Sequence, residues 1–253
     1  MFTRPLTIIL PYYENPLMLA YQYKNFRRMA APVRQAICLI VVDDGSKDDP
    51  AVAEDIGVDL VLYRMLVDVR WNQDACRNLG AHLARTEWIL MTDMDHLVPE
   101  QTLSHILAHP LNEDTVYTFD RVMAPRLSPC RPHPNSWLMT RSMYDRIGGY
   151  DERFAGFYGT DGDFSARVRE AAKGVQRLDY ALVFVPSQLV ADAWTRRYGR
   201  KEPVDVEAIP RIAAARNALP DWRPLTLSFP WTPVGPSDRI EPRVSEPKKT
   251  LAK

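Results

Sequence analysis

The chain has 253 residues, enough for one large domain or two small ones with a sizeable core. Hydrophobic residues make up 46% of it and charged residues 25%, the balance of a globular protein and not of a disordered or fibrous one. Lys+Arg and Asp+Glu number 32 each, which excludes a global field that would draw the protein to nucleic acid or an anionic lipid surface.

In chain order, residues 6–10 form an apolar run of strand length, stopped by Pro11-Tyr12-Tyr13-Glu14-Asn15-Pro16. Residues 17–29 read as a helix. Residues 37–42 form a second strand without alternation, as expected for a strand covered on both faces, and end in the turn composition Asp43-Asp44-Gly45-Ser46. A short helix is expected over 50–56 and a third strand over 58–63. A helix over 72–84, with Ala75, Leu79, His82 and Leu83 at helical spacing, leads into a fourth strand at 88–91. This alternation predicts an α/β fold with a mostly parallel central sheet flanked by helices. Right-handed crossovers then bring Tyr13, Asp44 and Asp93 to one edge.

After Pro99 the pattern changes. Helices are expected over 100–108, 141–147 (closed by Gly148-Gly149) and 161–173, and strands over 115–119, 137–140 and 175–185. Residues 123–134, rich in proline and arginine, read as an irregular surface loop. The expected layout is a single domain over 1–193, with a nucleotide-binding half at 1–98 and an acceptor half at 99–193. An extension follows over 194–253, its Pro-rich last thirty residues an extended or disordered arm.

The three cysteines, Cys38, Cys76 and Cys130, are scattered and have no metal-ligand spacing, so no disulfide framework is expected. The apolar run at the start is too short for a signal-peptide core, and no stretch approaches the roughly 18 apolar residues of a transmembrane helix. A soluble, cytoplasmic protein is the expectation.

The chemistry concentrates at residues 88–96, Trp-Ile-Leu-Met-Thr-Asp-Met-Asp-His. If the extended geometry persists past the strand, Asp93 and Asp95 project to the same side. Two like charges there repel unless a cation or a set of donors lies between them, and carboxylates suit Mg²⁺ or Mn²⁺. Ordinary turn residues after a strand are the competing reading.

Five stretches in order resemble family 2 glycosyltransferases of the GT-A fold. They are Thr-Ile-Ile-Leu-Pro-Tyr-Tyr-Glu-Asn, Val-Val-Asp-Asp-Gly-Ser, Arg77-Asn78-x-Gly80 before Asp93-x-Asp95, Ile-Gly-Gly-Tyr-Asp-Glu, and Gly-Thr-Asp-Gly-Asp-Phe. Residues 71–80 are also loosely similar to a stretch of β-1,4-galactosyltransferases. The resemblance implies transfer of a sugar from a UDP-sugar to a glycan or another hydroxyl-bearing acceptor, with Mn²⁺ or Mg²⁺ as cofactor. It implies that Asp95 binds the metal directly and that Asp93 reaches the ribose or the metal. Tyr13 would stack on the base, aimed by Pro11, and Asp44 would accept from uracil N3–H. Arg77 would sit near the diphosphate, with a helix-surface role as the alternative.

Many members of the family place a Glu-Asp pair before a helix, with the aspartate as general base. Here the pair is Thr160-Asp161, so the glutamate is missing and Asp161 keeps the position of the base. Asp163, Gly149 and Trp137 are candidates for the acceptor or sugar site, against helix-dipole and core roles for Asp163 and Trp137. The downstream histidine that completes the metal site in several relatives is absent. His96 could substitute only if the chain turns after Asp95; Asp192 and water are the other candidates. Arg126 and Arg131 could close over phosphate, while His82, His105 and His109 read as surface or packing residues. Two alternatives stay open. One is a phosphohydrolase of the haloacid dehalogenase type with Asp93 as nucleophile; the other is an inactive nucleotide- or sugar-binding domain.

Overall fold

The computed structural model describes residues 2, 4–53, 55–194, 207–219, 222 and 227–235. Strand β1 (Leu6–Tyr12), β2 (Ile37–Asp43), β3 (Asp59–Met65) and β4 (Trp88–Met91) pair in parallel in the order β3-β2-β1-β4. Every residue of β1 is buried, which explains its unbroken apolar sequence. Alternate residues serve opposite faces. Ile8 and Leu10 join the core beneath α1 (Pro16–Arg27) and α4 (Glu100–Ala108), whereas Ile9 joins the one beneath α3 (Gln73–Leu83), α5 (Arg141–Ile147) and α6 (Asp161–Ala171).

Pro11 lies inside β1 and does not end it. The Asp44 N–H donates to the Tyr12 carbonyl on the β2 side, so Pro11, one residue back, turns its backbone toward β4. The β4 ladder has already stopped there, at the pair Ile9 and Met91. Proline's missing N–H therefore removes no sheet hydrogen bond.

The second half extends the sheet with β5 (His96–Leu97), β6 (Thr115–Met123), β7 (Ser128–Cys130), β8 (Trp137–Thr140) and β9 (Gly174–Phe184). The pairs β4–β8, β8–β6 and β5–β9 are antiparallel, while β6–β9 is parallel. The sheet is thus mixed, its parallel part concentrated in the first half of the chain. The loop expected over 123–134 is in part a hairpin, because β7 folds back on Arg121–Met123 of β6. No helix forms in the described part of 50–56; Asp55 has φ 52° and Gly57 has φ 73°, left-handed values that a right-handed helix does not use. A short helix α2 (Ala31–Gln35) precedes β2, and a 3₁₀ turn covers Glu152–Phe154.

Two segments of the C-terminal extension are ordered against the domain. Helix α7 (Ala208–Asn217) brings Arg216 to Asp151 and Asp163. Strand β10 (Trp231–Val234) lies antiparallel on β3, so this part of the expected arm is extended and paired. The rest of the arm, 224–226 and 236–253, lies outside the described residues.

Helix α3 approaches β1 so closely that a Cβ on Gly80 would overlap the Ile9 side chain. Gly80→Ala should therefore destabilise the protein by about 1–3 kcal/mol through overpacking. Helix propensity alone would give a gain of up to about 1 kcal/mol. The sign of the change in denaturant midpoint decides between the two.

Candidate functional site

Because β1, β2 and β4 run parallel, their ends deliver Tyr13, Asp44 and Asp93 to one edge of the sheet. Extended geometry does not carry on to Asp95. The chain turns, with the His96 N–H donating to the Asp93 carbonyl at 3.0 Å, and both carboxylates still reach one cleft. Gln22 of α1 braces the turn from beneath by donating to the Met94 and His96 carbonyls, each at 2.8 Å.

The cleft has two lobes. One, of about 240 Å³, is lined by Pro11, Tyr13, Asn15, Asp93, Asp95 and Trp194 among others. The second, of about 190 Å³, is lined by Asp74, Arg77, Asp93, His133, Asn135 and Asp161 among others. Asp161 is the first residue of α6, and Asn135 donates to its Oδ1 at 2.7 Å.

Asp93 is enclosed by cations. Arg77 pairs with its Oδ1, and His133 Nε2 lies 3.2 Å from its Oδ2. Burial opposes ionisation of this carboxyl, but Arg77 and then His133 outweigh it and hold the group well below the usual carboxylate range. For His133 burial also works against the charge, and the Asp93 carboxylate raises its pKa above the ordinary histidine value. His133, on the loop before β8, is a site residue that sequence reasoning missed.

Arg77 is only 1% exposed and spends its donors on Asp74, Gln73 and Asp93, with its guanidinium 5.2 Å from the Tyr150 ring centre. It is not a helix-surface residue; it lines the second lobe, and its Nε has no hydrogen-bond partner among the described residues. Burial pushes the neighbouring Asp74 carboxyl up to about 7, with Arg77 opposing and Asp161 adding to the shift. Asn78 is fully buried: its Oδ1 accepts from Tyr144 and the Tyr150 N–H, and its Nδ2 donates to Tyr150 and Glu152. It fastens the turn after Gly149 to α3.

The turn after Asp95 sends His96 into the core instead of the cleft. Its Nδ1 lies 2.7 Å from Asp95 Oδ1 and its Nε2 is 3.4 Å from Arg121. An arginine only donates, so Nε2 accepts and Nδ1–H donates to Asp95. Either nitrogen could ligate a metal only by giving up one of these bonds; in this structure the ring orients Asp95. Asp192 is committed as well: its carboxylate accepts from the Leu17 and Met18 N–H groups, both at 2.8 Å, capping α1.

Asp44, Trp137, Gly149 and Asp163 line neither lobe. Trp137 is buried in the core, edge-on to Phe164 at 5.9 Å. Gly149 has φ 63°, and its carbonyl accepts from Arg167. Asp163 faces away from the cleft and pairs with Arg167 and Arg216. Arg126 and Arg131 are exposed and also lie outside both lobes.

The donor set fits a hard divalent cation that arrives with a phosphate ligand. No three His, Cys, Asp or Glu groups converge on a metal position among the described residues. Two carboxylates do line the same lobe, and Asp95 Oδ2 has no protein partner among those residues. Mg²⁺-type sites are commonly built from one or two carboxylates plus substrate phosphates and water.

The family model for Glycosyl transferase family 2 matches residues 7–175. The chain belongs to that family. Among solved structures, TarS of S. aureus is similar to this family 2 chain with a TM-score of 0.58 at 14% identity, over 72% of this chain and 37% of TarS. The mannosyltransferase PcManGT from Pyrobaculum calidifontis, solved with GDP-Man and Mn²⁺, has a TM-score of 0.54 at 16% identity, over 71% of this chain and 56% of its own. TarS 1–349 with UDP-GlcNAc has a TM-score of 0.52 at 13% identity, over 72% of this chain and 58% of its own. This family 2 chain therefore spans between 37% and 58% of the length of these three structures. No curated protein matches it. Among the described residues, no helix is long and apolar enough to cross a membrane.

Proposed function

We infer that the protein transfers a hexose from a UDP-sugar to an acceptor hydroxyl with inversion at the anomeric carbon. The observation that carries this reading is the two-lobed cleft, with Asp95 in one lobe, Asp161 in the other and Asp93 lining both. It gives a donor diphosphate and an attacking hydroxyl separate places on either side of one carboxylate.

Asp44 favours uracil. It is buried, its Oδ2 accepts from the Asn72 N–H, and its Oδ1 has no hydrogen-bond partner among the described residues. An unpaired buried acceptor is costly, and uracil N3–H supplies the donor it lacks, whereas cytosine has no such N–H. Tyr13 and Pro11 line the lobe that holds Asp95, as a stacking role requires, while Asp44 lines neither lobe.

In the transfer step Asp161 takes the proton of the attacking hydroxyl while Asn135 fixes the carboxylate's direction. Asp95, oriented by His96, would hold Mn²⁺ or Mg²⁺, with Asp93 alongside. Such an ion, when bound, supplies Lewis-acid stabilisation of the departing diphosphate. The phosphohydrolase alternative loses ground to the family match and to the position of Asp93 after the fourth strand. Its nucleophile would also have both carboxylate oxygens engaged by Arg77 and His133.

Calorimetric titration of UDP and GDP, with and without Mn²⁺, tests the reading. Wild type should bind UDP in preference to GDP and only with the metal, and Asp95→Ala should weaken that binding at least tenfold. Metal-independent binding, or preference for GDP, would overturn the donor assignment. Transfer or UDP-sugar hydrolysis by the wild type would dismiss the inactive-domain alternative.

A further inference from the structure

The two lobes share Trp71, Gln73, Asp93 and Tyr158. A sugar that leaves a diphosphate near Asp95 and meets a hydroxyl near Asp161 has to lie against this shared wall. We propose that Trp71 and Tyr158 form the surface on which the transferred hexose ring rests, and so act as residues that select the sugar. This assignment rests on the donor reading above.

The two rings come from separate segments, Trp71 just before α3 and Tyr158 just before α6, and meet at 4.7 Å between centroids with a 38° tilt. The backbone around each is unusual. Trp71 has φ 52°, a left-handed conformation that is an outlier for a bulky residue and characteristic of functional positions. Tyr158 is flanked by Gly156 at φ 95° and Gly159 at φ 83°. A Cβ on Gly156 would meet nothing within 4 Å, so that glycine serves the path of the backbone and not close packing. The path leaves Tyr158 37% exposed in the cleft, where a packing residue would be covered.

A hexose presents C–H groups on its ring faces and hydroxyls around its rim. The aromatic pair matches the faces, while Gln73 and Asp93 on the same wall match the rim. Pockets that fix small polar ligands combine aromatic surface with a few placed polar groups in this way. The pair offers ring faces and no cationic group, so it contributes to the sugar and little to the diphosphate.

The test compares Mn²⁺-dependent affinities for UDP, UDP-glucose, UDP-galactose and UDP-N-acetylglucosamine in wild type, Tyr158→Ala, Tyr158→Phe and Trp71→Ala, with the melting temperature of each variant recorded. Tyr158→Ala should weaken the best UDP-hexose at least tenfold and change UDP affinity by less than twofold. Tyr158→Phe should keep the wild-type pattern, because it keeps the ring face. Trp71→Ala should act in the same direction as Tyr158→Ala. Equal loss for UDP and UDP-hexose in Tyr158→Ala, or no loss for either, would overturn the proposal. So would a wild type that binds UDP but none of the three sugars. Failure of wild type to bind UDP at all is a separate result, which removes the donor reading and this inference with it.

Discussion

Asp161→Asn is expected to lower turnover by about 10²–10⁴-fold while leaving Mn²⁺-dependent UDP binding within twofold of wild type. The asparagine keeps the size of the side chain and its contact with Asn135, and removes only the capacity to take a proton. Asp161 lines the lobe away from Asp95, which separates the two readouts. Asp163, two residues on, supplies the control. Its carboxylate is bound by Arg167 and Arg216, so Asp163→Asn should lower stability and leave the proton-transfer step unchanged. Activity that survives Asp161→Asn would transfer the role of base to another group, and Asp74 in the same lobe would be examined next.

Arg77→Met should destabilise the fold by ~3 kcal/mol at neutral pH, although methionine fills much of the same space. Arg77 is the main cation holding Asp93 ionised, and it also pairs with Asp74. Without it, two carboxylates would share a largely buried site with only His133 to balance them. The pH dependence has a definite sign. In wild type the Asp93 pKa is depressed, so its contribution to stability is present above the unfolded carboxylate value and is lost as pH falls through the folded one. In the variant the depression is weakened, with His133 left to oppose burial, and the added penalty falls on the ionised form. The gap between the two proteins should be widest at pH 7 and narrow toward pH 4, as carboxylates protonate. Denaturant melts of both proteins across that range measure it; a gap that stays constant with pH would mean that Arg77 acts through packing alone.

The first half of the chain was legible because its signals are local. Apolar runs such as residues 6–10 and 37–42 end in carboxylates or aromatics, and parallel pairing places those ends together. What could not be read is what depends on contacts between distant segments. His133 looks like one more residue in a proline-rich loop until β8 folds that loop back over Asp93. Asp192 resembled a spare ligand because nothing in the sequence links it to the start of α1. For His96 the sequence poses a condition, a turn after the strand; the turn is there, at Met94-Asp95, yet it carries the ring into the interior, which only the surrounding packing determines. Trp137 and Asn78 have polar atoms that suggest function, but their surroundings place both in the interior. The hairpin at β7 was hidden by Pro125 and Pro129, residues that mark loops by composition whatever the neighbouring strand does.

Strand β10 bears on how the protein is made. It covers the outer edge of β3, where Trp231 meets Tyr63 edge-on at 5.6 Å and the Leu66 N–H donates to the Pro230 carbonyl. During synthesis from the N-terminus, β1 to β4 leave the ribosome long before residues 231–234 exist. Through that interval the nascent sheet carries an open edge with unpaired backbone groups, the kind of surface to which another chain adds a strand. An expression fragment cut at the boundary of the family match, residue 175, would keep that edge open permanently. The segment that the family model matches therefore leaves out the strand that covers β3.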